Sequence, residues 1–139
     1  MPARVPPALR REVRERAKGC CEYCLLPEER AFFPHEPDHI IATKHGGQST
    51  ADNLALACFD CNRFKGSDLS SMDPVSGELT ALFNPRTQNW NEHFEWDFEK
   101  IVGKTSCGRA TVLALKLNNE IILPVRKKWI LAGWFPPTD

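Results

Sequence analysis

The stretch "PDHIIATKHGG", residues 37–47, sets Asp38 beside His39 at the head of the apolar pair Ile40 and Ile41, then breaks the run on Gly46 and Gly47. An apolar run that ends in a Gly-Gly turn reads as a short strand entering a loop. On that pattern "DHIIA" is the strand, "TKHGGQSTAD" the connection and "NLALA" a second strand, together a hairpin with a long loop. Alone, an Asp-His neighbour pair is most often a polar strand edge, so the flanks decide the reading.

On either side stand Cys21-Glu-Tyr-Cys24 and Cys58-Phe-Asp-Cys61, two C-x2-C pairs. This is the spacing at which consecutive thiolates bend round one ion, and four thiolates close a tetrahedral zinc site with no open position for chemistry. The pairs are separated by 33 residues, more than the roughly 15–20 of a simple zinc ribbon. A folded element must therefore sit between the knuckles, and the hairpin occupies that interval. Cys20 reads as a neighbour of the cluster, and Cys107, alone before a helical pattern, as a small buried residue.

A chain of 139 residues has the length of one domain with a modest core. It has no apolar run near the roughly 20 residues that span a bilayer, and residues 1–19 lack the apolar centre of a secretory signal. The expectation is a soluble protein of a reducing cytoplasm, where thiols serve as metal ligands more often than as disulfides. Lys and Arg number 18 and Asp and Glu 18, so bulk charge does not make the chain a polyanion binder. Local charge differs: residues 1–18 sum to +4, 19–67 to −3 and the rest to −1. A basic N-terminal arm has either a phosphate backbone or solvent as its partner.

Pro6 and Pro7, the segment "ALRREVRERAK" and Gly19 predict an N-terminal helix, with Leu9, Val13 and Ala17 on its docking face. "CFDCNRFKGSD" has a helix-compatible pattern. Beyond residue 67, "HFEWDFEKIVG" predicts a strand pair with Phe94, Trp96 and Phe98 on one face. The tail predicts two helices broken near Asn118 and Asn119, the first burying Ala110, Leu113, Ala114 and Leu117. The organisation expected is a basic helix (1–19), a zinc-knuckled core (20–67) and a C-terminal extension packed on it (68–139). Trp90, Trp96, Trp129 and Trp134 read as core residues rather than base-stacking platforms.

Taken in order, Cys-x2-Cys, Asp38-His39-Ile40, Gly46-Gly47, Asp52-Asn53-Leu54, Cys58-x2-Cys61-Asn62 and Lys65-Gly66 resemble the HNH endonuclease family, in the subtype whose ββα-metal motif is clasped by four cysteines. The resemblance covers residues 21–67. The whole chain, with "LFNPR", "W-x2-HF" and "GRATV", is also similar to small stand-alone prokaryotic HNH proteins. It implies an α+β fold: a treble-clef-like ββα-metal core with structural zinc, an N-terminal helix, and a C-terminal β-hairpin plus helices. By the same resemblance His39 is the general base, Asp38 and Asn62 the ligands of a catalytic divalent metal, and Asn53 the asparagine that holds the loop and orients the histidine.

The residue types suit that chemistry. Phosphodiester hydrolysis needs a base for water and a cation for the charge on phosphate and leaving oxygen. A histidine titrates near neutrality, and carboxylate and amide oxygens are hard ligands suited to Mg²⁺ or Mn²⁺. Asn62 stands where the family name has histidine, which weakens the case for Zn²⁺ or Ni²⁺ there. Neighbouring strand residues point to opposite faces, so Asp38 and His39 serve one site only where the strand ends or twists. Lys65 and Arg63, on the same helix, are the expected contacts to phosphate. The partner implied is DNA, with a homodimer or two encounters needed to cut both strands. The competing readings are a non-catalytic zinc-stabilised nucleic-acid-binding module and a protein-interaction domain. His35 and His45 read as polar loop residues and His93 as a packing residue.

Overall fold

The computed structural model describes residues 5–136. It divides into two units, Met1–Leu69 with Asn84–Thr87, and Ser70–Phe83 with Gln88–Asp139. Arg4, counted in the basic arm, lies outside the described residues. Among those described, no helix is long and apolar enough to cross a membrane.

In the first unit, helix α1 (Pro7–Arg16) starts on Pro7 at its first turn, where a missing N–H costs nothing. Val13 is fully buried and, with Leu9 and Ala17 beside it, packs on Val5, Leu54 and Leu56. Strands β1 (Glu36–His39) and β2 (Leu54–Ala57) pair antiparallel, with Asp38 opposite Ala55 and His39 opposite Leu54. Ile40 and Ile41 lie beyond the strand end, so β1 stops at His39. All four residues of β2 are buried. Helix α2 (Phe59–Lys65) follows directly and packs on both strands, completing a ββα unit.

The basic face of α1 is largely spent inside this unit. Arg10 pairs with Glu36 at 2.8 Å, Arg14 with Glu28 at 3.0 Å, and Arg16 donates to the carbonyls of Ala51 and Leu54 at 2.8 and 2.7 Å. Arg10 and Arg16 tie the helix to the hairpin, and Arg14 ties it to the segment before β1.

The second unit holds two more antiparallel hairpins, β3 (Ser70–Met72) with β4 (Leu79–Ala81) and β5 (Phe94–Asp97) with β6 (Lys100–Gly103). A single helical turn, α3 (Trp90–His93), leads into β5. Helix α4 (Ser106–Ala114) packs on β3, β4 and β6, and α5 (Ile122–Leu131) follows. Phe98 departs from the expected alternation: it occupies the β5–β6 turn at φ +53° and is half exposed. The apolar stripe predicted on the first tail helix holds at Ala110 and Leu117, which are buried, but Leu113 is exposed while Gly108 and Thr111 are buried. A Cβ on Gly108 would stand 2.0 Å from the His93 carbonyl oxygen, so that face approaches its neighbours through small residues. Trp90, Trp96 and Trp129 pack with Phe94 and Phe135 at centroid separations of 5.1–6.0 Å. His93 packs on Phe83 and bonds Thr105 through Nδ1 at 2.7 Å.

Candidate active site and metal centre

The four knuckle cysteines come together. Cys21, Cys24, Cys58 and Cys61 are buried, and their sulfurs lie within 4.8 Å of one another. The Cys24 and Cys58 sulfurs are 3.7 Å apart, and a tetrahedral zinc with Zn–S near 2.3 Å requires about 3.8 Å. Two sulfurs are already bonded to backbone: Cys21 Sγ accepts from Cys24 N–H at 3.5 Å and Cys58 Sγ from Cys61 N–H at 3.4 Å. The second bond caps α2, so the helix begins where the ion would be held. Burial drives the Cys21 thiol upward, but hydrogen bonds from Cys24, Cys58 and Cys61 outweigh it and hold that thiol well below its ordinary range. The same contacts push Cys24 and Cys61 well above theirs. Four crowded sulfurs ionise together only around a cation, so the donor set fits a structural zinc.

The first knuckle is strapped to β2. Glu22 N–H donates to Leu56 O at 2.8 Å and its carboxylate accepts from Leu56 N–H at 2.8 Å, while Arg86 pairs with the other carboxylate oxygen. The second knuckle starts immediately after β2. Cysteine cluster and hairpin thus share one frame.

His39 closes β1, half buried, with Nε2 2.8 Å from Ser49 Oγ. The loop that follows is clamped by Asn53. Its Oδ1 accepts from Ile41 N–H at 2.9 Å, and its Nδ2 donates to Ile41 O at 3.0 Å and Gln48 O at 2.9 Å. The ends of the loop are therefore tied across by one side chain. Asn62, on the first turns of α2, is partly exposed and makes no side-chain hydrogen bond among the described residues.

Residues 21–68 match the family model described as HNH endonuclease. The segment is therefore similar to an HNH endonuclease domain. No curated protein and no solved structure matches the chain. The four-cysteine cluster fits the zinc-clasped subtype of that family.

Within this segment Asp38 and His39 point to opposite sides of β1, as strand geometry demands. Asp38 turns inward and is 5% exposed. Its Oδ2 accepts from Tyr23 Oη at 3.0 Å and meets Lys65 Nζ at 3.1 Å. Burial raises the Asp38 carboxyl from its usual range, against the lowering effect of the Lys65 ammonium and the Tyr23 hydroxyl. Tyr23 itself is driven well above the ordinary phenol range, by burial first and by the Asp38 charge second, so it stays a neutral donor.

Lys65 is where the sequence expectation fails. It is 2% exposed, and besides Asp38 it donates to the carbonyls of His39 at 3.1 Å and Ile40 at 3.2 Å. An ammonium has three protons, and three acceptors surround this one. Lys65 is an interior counter-charge at the end of β1, away from the solvent-facing position expected of a phosphate contact. Arg63 does face solvent, with its guanidinium 4.5 Å from the Phe64 ring centroid and 5.5 Å from that of Phe59, and its Nη2 3.3 Å from Asp60. His35 is buried with Nε2 2.7 Å from Leu26 O, and His45 is exposed in the loop. Cys20 lies outside the sulfur cluster, half buried, and Cys107 is half buried in the second unit.

Three residues of the site escaped the sequence reading. Tyr23 lies between the knuckle cysteines, and its bond to Asp38, 15 positions away, is made through space and leaves no local pattern. Ser49 carried no signal among the polar residues of its loop. Glu22 draws its ion-pair partner Arg86 from 64 positions away, which no local pattern shows.

Proposed function

We propose that this protein is a metal-dependent endonuclease that hydrolyses DNA phosphodiester bonds, leaving 5′-phosphate and 3′-hydroxyl ends. The observation that supports it best is the match to the HNH model over a segment in which His39 ends the strand, with its ring bonded to Ser49 through Nε2. Neutral His39 takes a proton from water as the oxygen attacks phosphorus in line. Asp38, whose Oδ1 is outside the Tyr23 and Lys65 contacts, and Asn62 are the oxygen donors for a hydrated Mg²⁺ or Mn²⁺. When bound, that cation supplies charge stabilisation at the phosphate and the departing 3′ oxygen. Asn53 keeps the loop closed over the histidine. Arg63 is the solvent-facing cation available to a phosphate beside the cut. A monomer has one such site, so nicking is its natural act.

The binding-module alternative draws less support. Its cationic features were Lys65 and the basic arm, and Lys65 and three arginines of α1 are bonded internally. The test is supercoiled plasmid incubated with the protein and Mg²⁺ or Mn²⁺. Relaxed circles whose nicks DNA ligase reseals, lost on chelation, are the expected products. DNA retained by the protein but left intact under every divalent cation would support the binding module instead.

A further inference from the structure

The β1–β2 loop holds Ser49 in a fixed place. Its two neighbours are both tied to Asn53: Gln48 O accepts from Asn53 Nδ2 at 2.9 Å, and Thr50 O accepts from Asn53 N–H at 3.0 Å. Gly47, two residues earlier, packs so closely that an added Cβ would lie 1.7 Å from Ile41 O. His39 is in turn set by its strand register opposite Leu54, the residue after Asn53. The 2.8 Å contact between His39 Nε2 and Ser49 Oγ therefore joins two groups referenced to the same short piece of backbone. Among the described residues it is the only side-chain hydrogen bond made by the His39 ring.

A neutral imidazole has one N–H and one lone pair, and a hydroxyl serves either. If Ser49 donated, Nε2 would be the capped acceptor and Nδ1 would carry the proton, leaving no nitrogen free to act as base. If Ser49 accepts, Nε2 carries the proton and the Nδ1 lone pair is open. We propose that Ser49 is a positioning residue for His39: its Oγ accepts the Nε2–H, which holds the tautomer in which Nδ1 takes the proton from water. The inference rests on the nuclease reading and assigns it a reacting atom. The proton passes from water to Nδ1, the oxygen forms its bond to phosphorus, the bond to the 3′ oxygen breaks, and that oxygen is protonated from solvent. Through all of this the Nε2–H to Ser49 bond persists and strengthens, because the imidazolium is a charged donor. A donating serine would have to turn in mid-reaction.

The experiment is ¹⁵N NMR of histidine-labelled protein at neutral pH, with the His39 resonances assigned by their loss in H39A. Wild type is expected to show the Nε2–H tautomer. S49A is expected to show a mixture and to nick plasmid on the order of tenfold more slowly, well short of the roughly 10²–10⁴-fold loss for removing the base itself, and S49T restores both. A wild-type Nδ1–H tautomer overturns the proposal, as does S49A with unchanged tautomer and rate. Should S49A fail to fold, the wild-type spectrum and S49T decide. An H39A protein that nicks at the wild-type rate would overturn the proposal by removing His39 as the base, whereas wild type that nicks no plasmid under any divalent cation would remove the nuclease reading, with the tautomer still reported by the wild-type spectrum.

Discussion

Lys65, expected as a contact to phosphate, lies in the interior. Cys61 and Lys65 stand four apart on α2, and residues at that spacing share a face. Cys61 faces the sulfur cluster, so Lys65 faces inward too, under the carbonyls of His39 and Ile40. The signal was present in the spacing, but a lysine beside a catalytic motif draws attention to phosphate first. Removing one partner of a buried pair strands the other charge, at a cost of about 3–5 kcal/mol. Lys65→Met is therefore expected to lower unfolding free energy by about that much in denaturant titrations, and adding Asp38→Asn to recover part of it. A loss below about 0.5 kcal/mol would show that the pair is solvated. Tyr23 belongs to the same network, and its link from zinc knuckle to β1 has no trace in residue spacing because it is made through space.

At the scale of elements, the parts with strong local signals form as expected. The proline-started helix docks through Leu9, Val13 and Ala17, and the two strands flanking the Gly-Gly loop pair with each other. Local pattern fails where tertiary packing chooses among apolar residues. Phe98 continues a perfect alternation, yet the hairpin turns there, and α4 buries Gly108 and Thr111 in preference to Leu113. Thr111 earns that place by bonding: its hydroxyl accepts from Phe83 N–H at 2.9 Å and donates to Cys107 O at 2.8 Å. Asp73, unremarked in its loop, is fully buried and grips Arg109 of α4 through two bonds of 2.9 and 2.8 Å, while also accepting from Val75 N–H and Ser76 Oγ. The Arg109 guanidinium, chief among these donors, holds the Asp73 carboxyl far below its ordinary range. A carboxylate depressed on folding stabilises above its unfolded pKa near 3.9 and loses that contribution as pH falls towards its folded value. All four tryptophans lie in this second unit, so their fluorescence reports it. Acid titration is expected to unfold wild type below roughly pH 4, with a shallower acid limb in Asp73→Asn. Identical acid limbs would show that the Asp73 bonds do not carry acid sensitivity.

For the molecule as a whole, a four-cysteine cluster that fits zinc stands beside a small core. One buried cluster of the first unit holds Val5, Val13, Leu54 and Leu56, with Tyr23 and Ile40 buried besides, a modest core of the kind that small domains supplement with metal. Binding of structural zinc supplies on the order of 10–16 kcal/mol in comparable peptides, and that free energy is folding free energy. Stripping the metal with a strong chelator is expected to abolish hydrogen-exchange protection in β1, β2 and α2; protection that survives complete metal loss would mean the hairpin stands by itself. The two C-x2-C pairs made this frame legible from sequence because thiolate spacing is a covalent constraint. The inward fate of Asp38 and Lys65 was less so, since it depends on which faces the assembled hairpin and helix present to each other.

The central claim is that this zinc-clasped frame presents His39 as the base for phosphodiester hydrolysis. Its most direct test is relaxation of supercoiled plasmid in Mg²⁺ by wild type and His39→Ala, each first shown by metal analysis to carry one zinc per chain. The account predicts relaxed circles from wild type and a loss on the order of 10²-fold or more in the variant. Equal rates from two equally zinc-loaded proteins would contradict it.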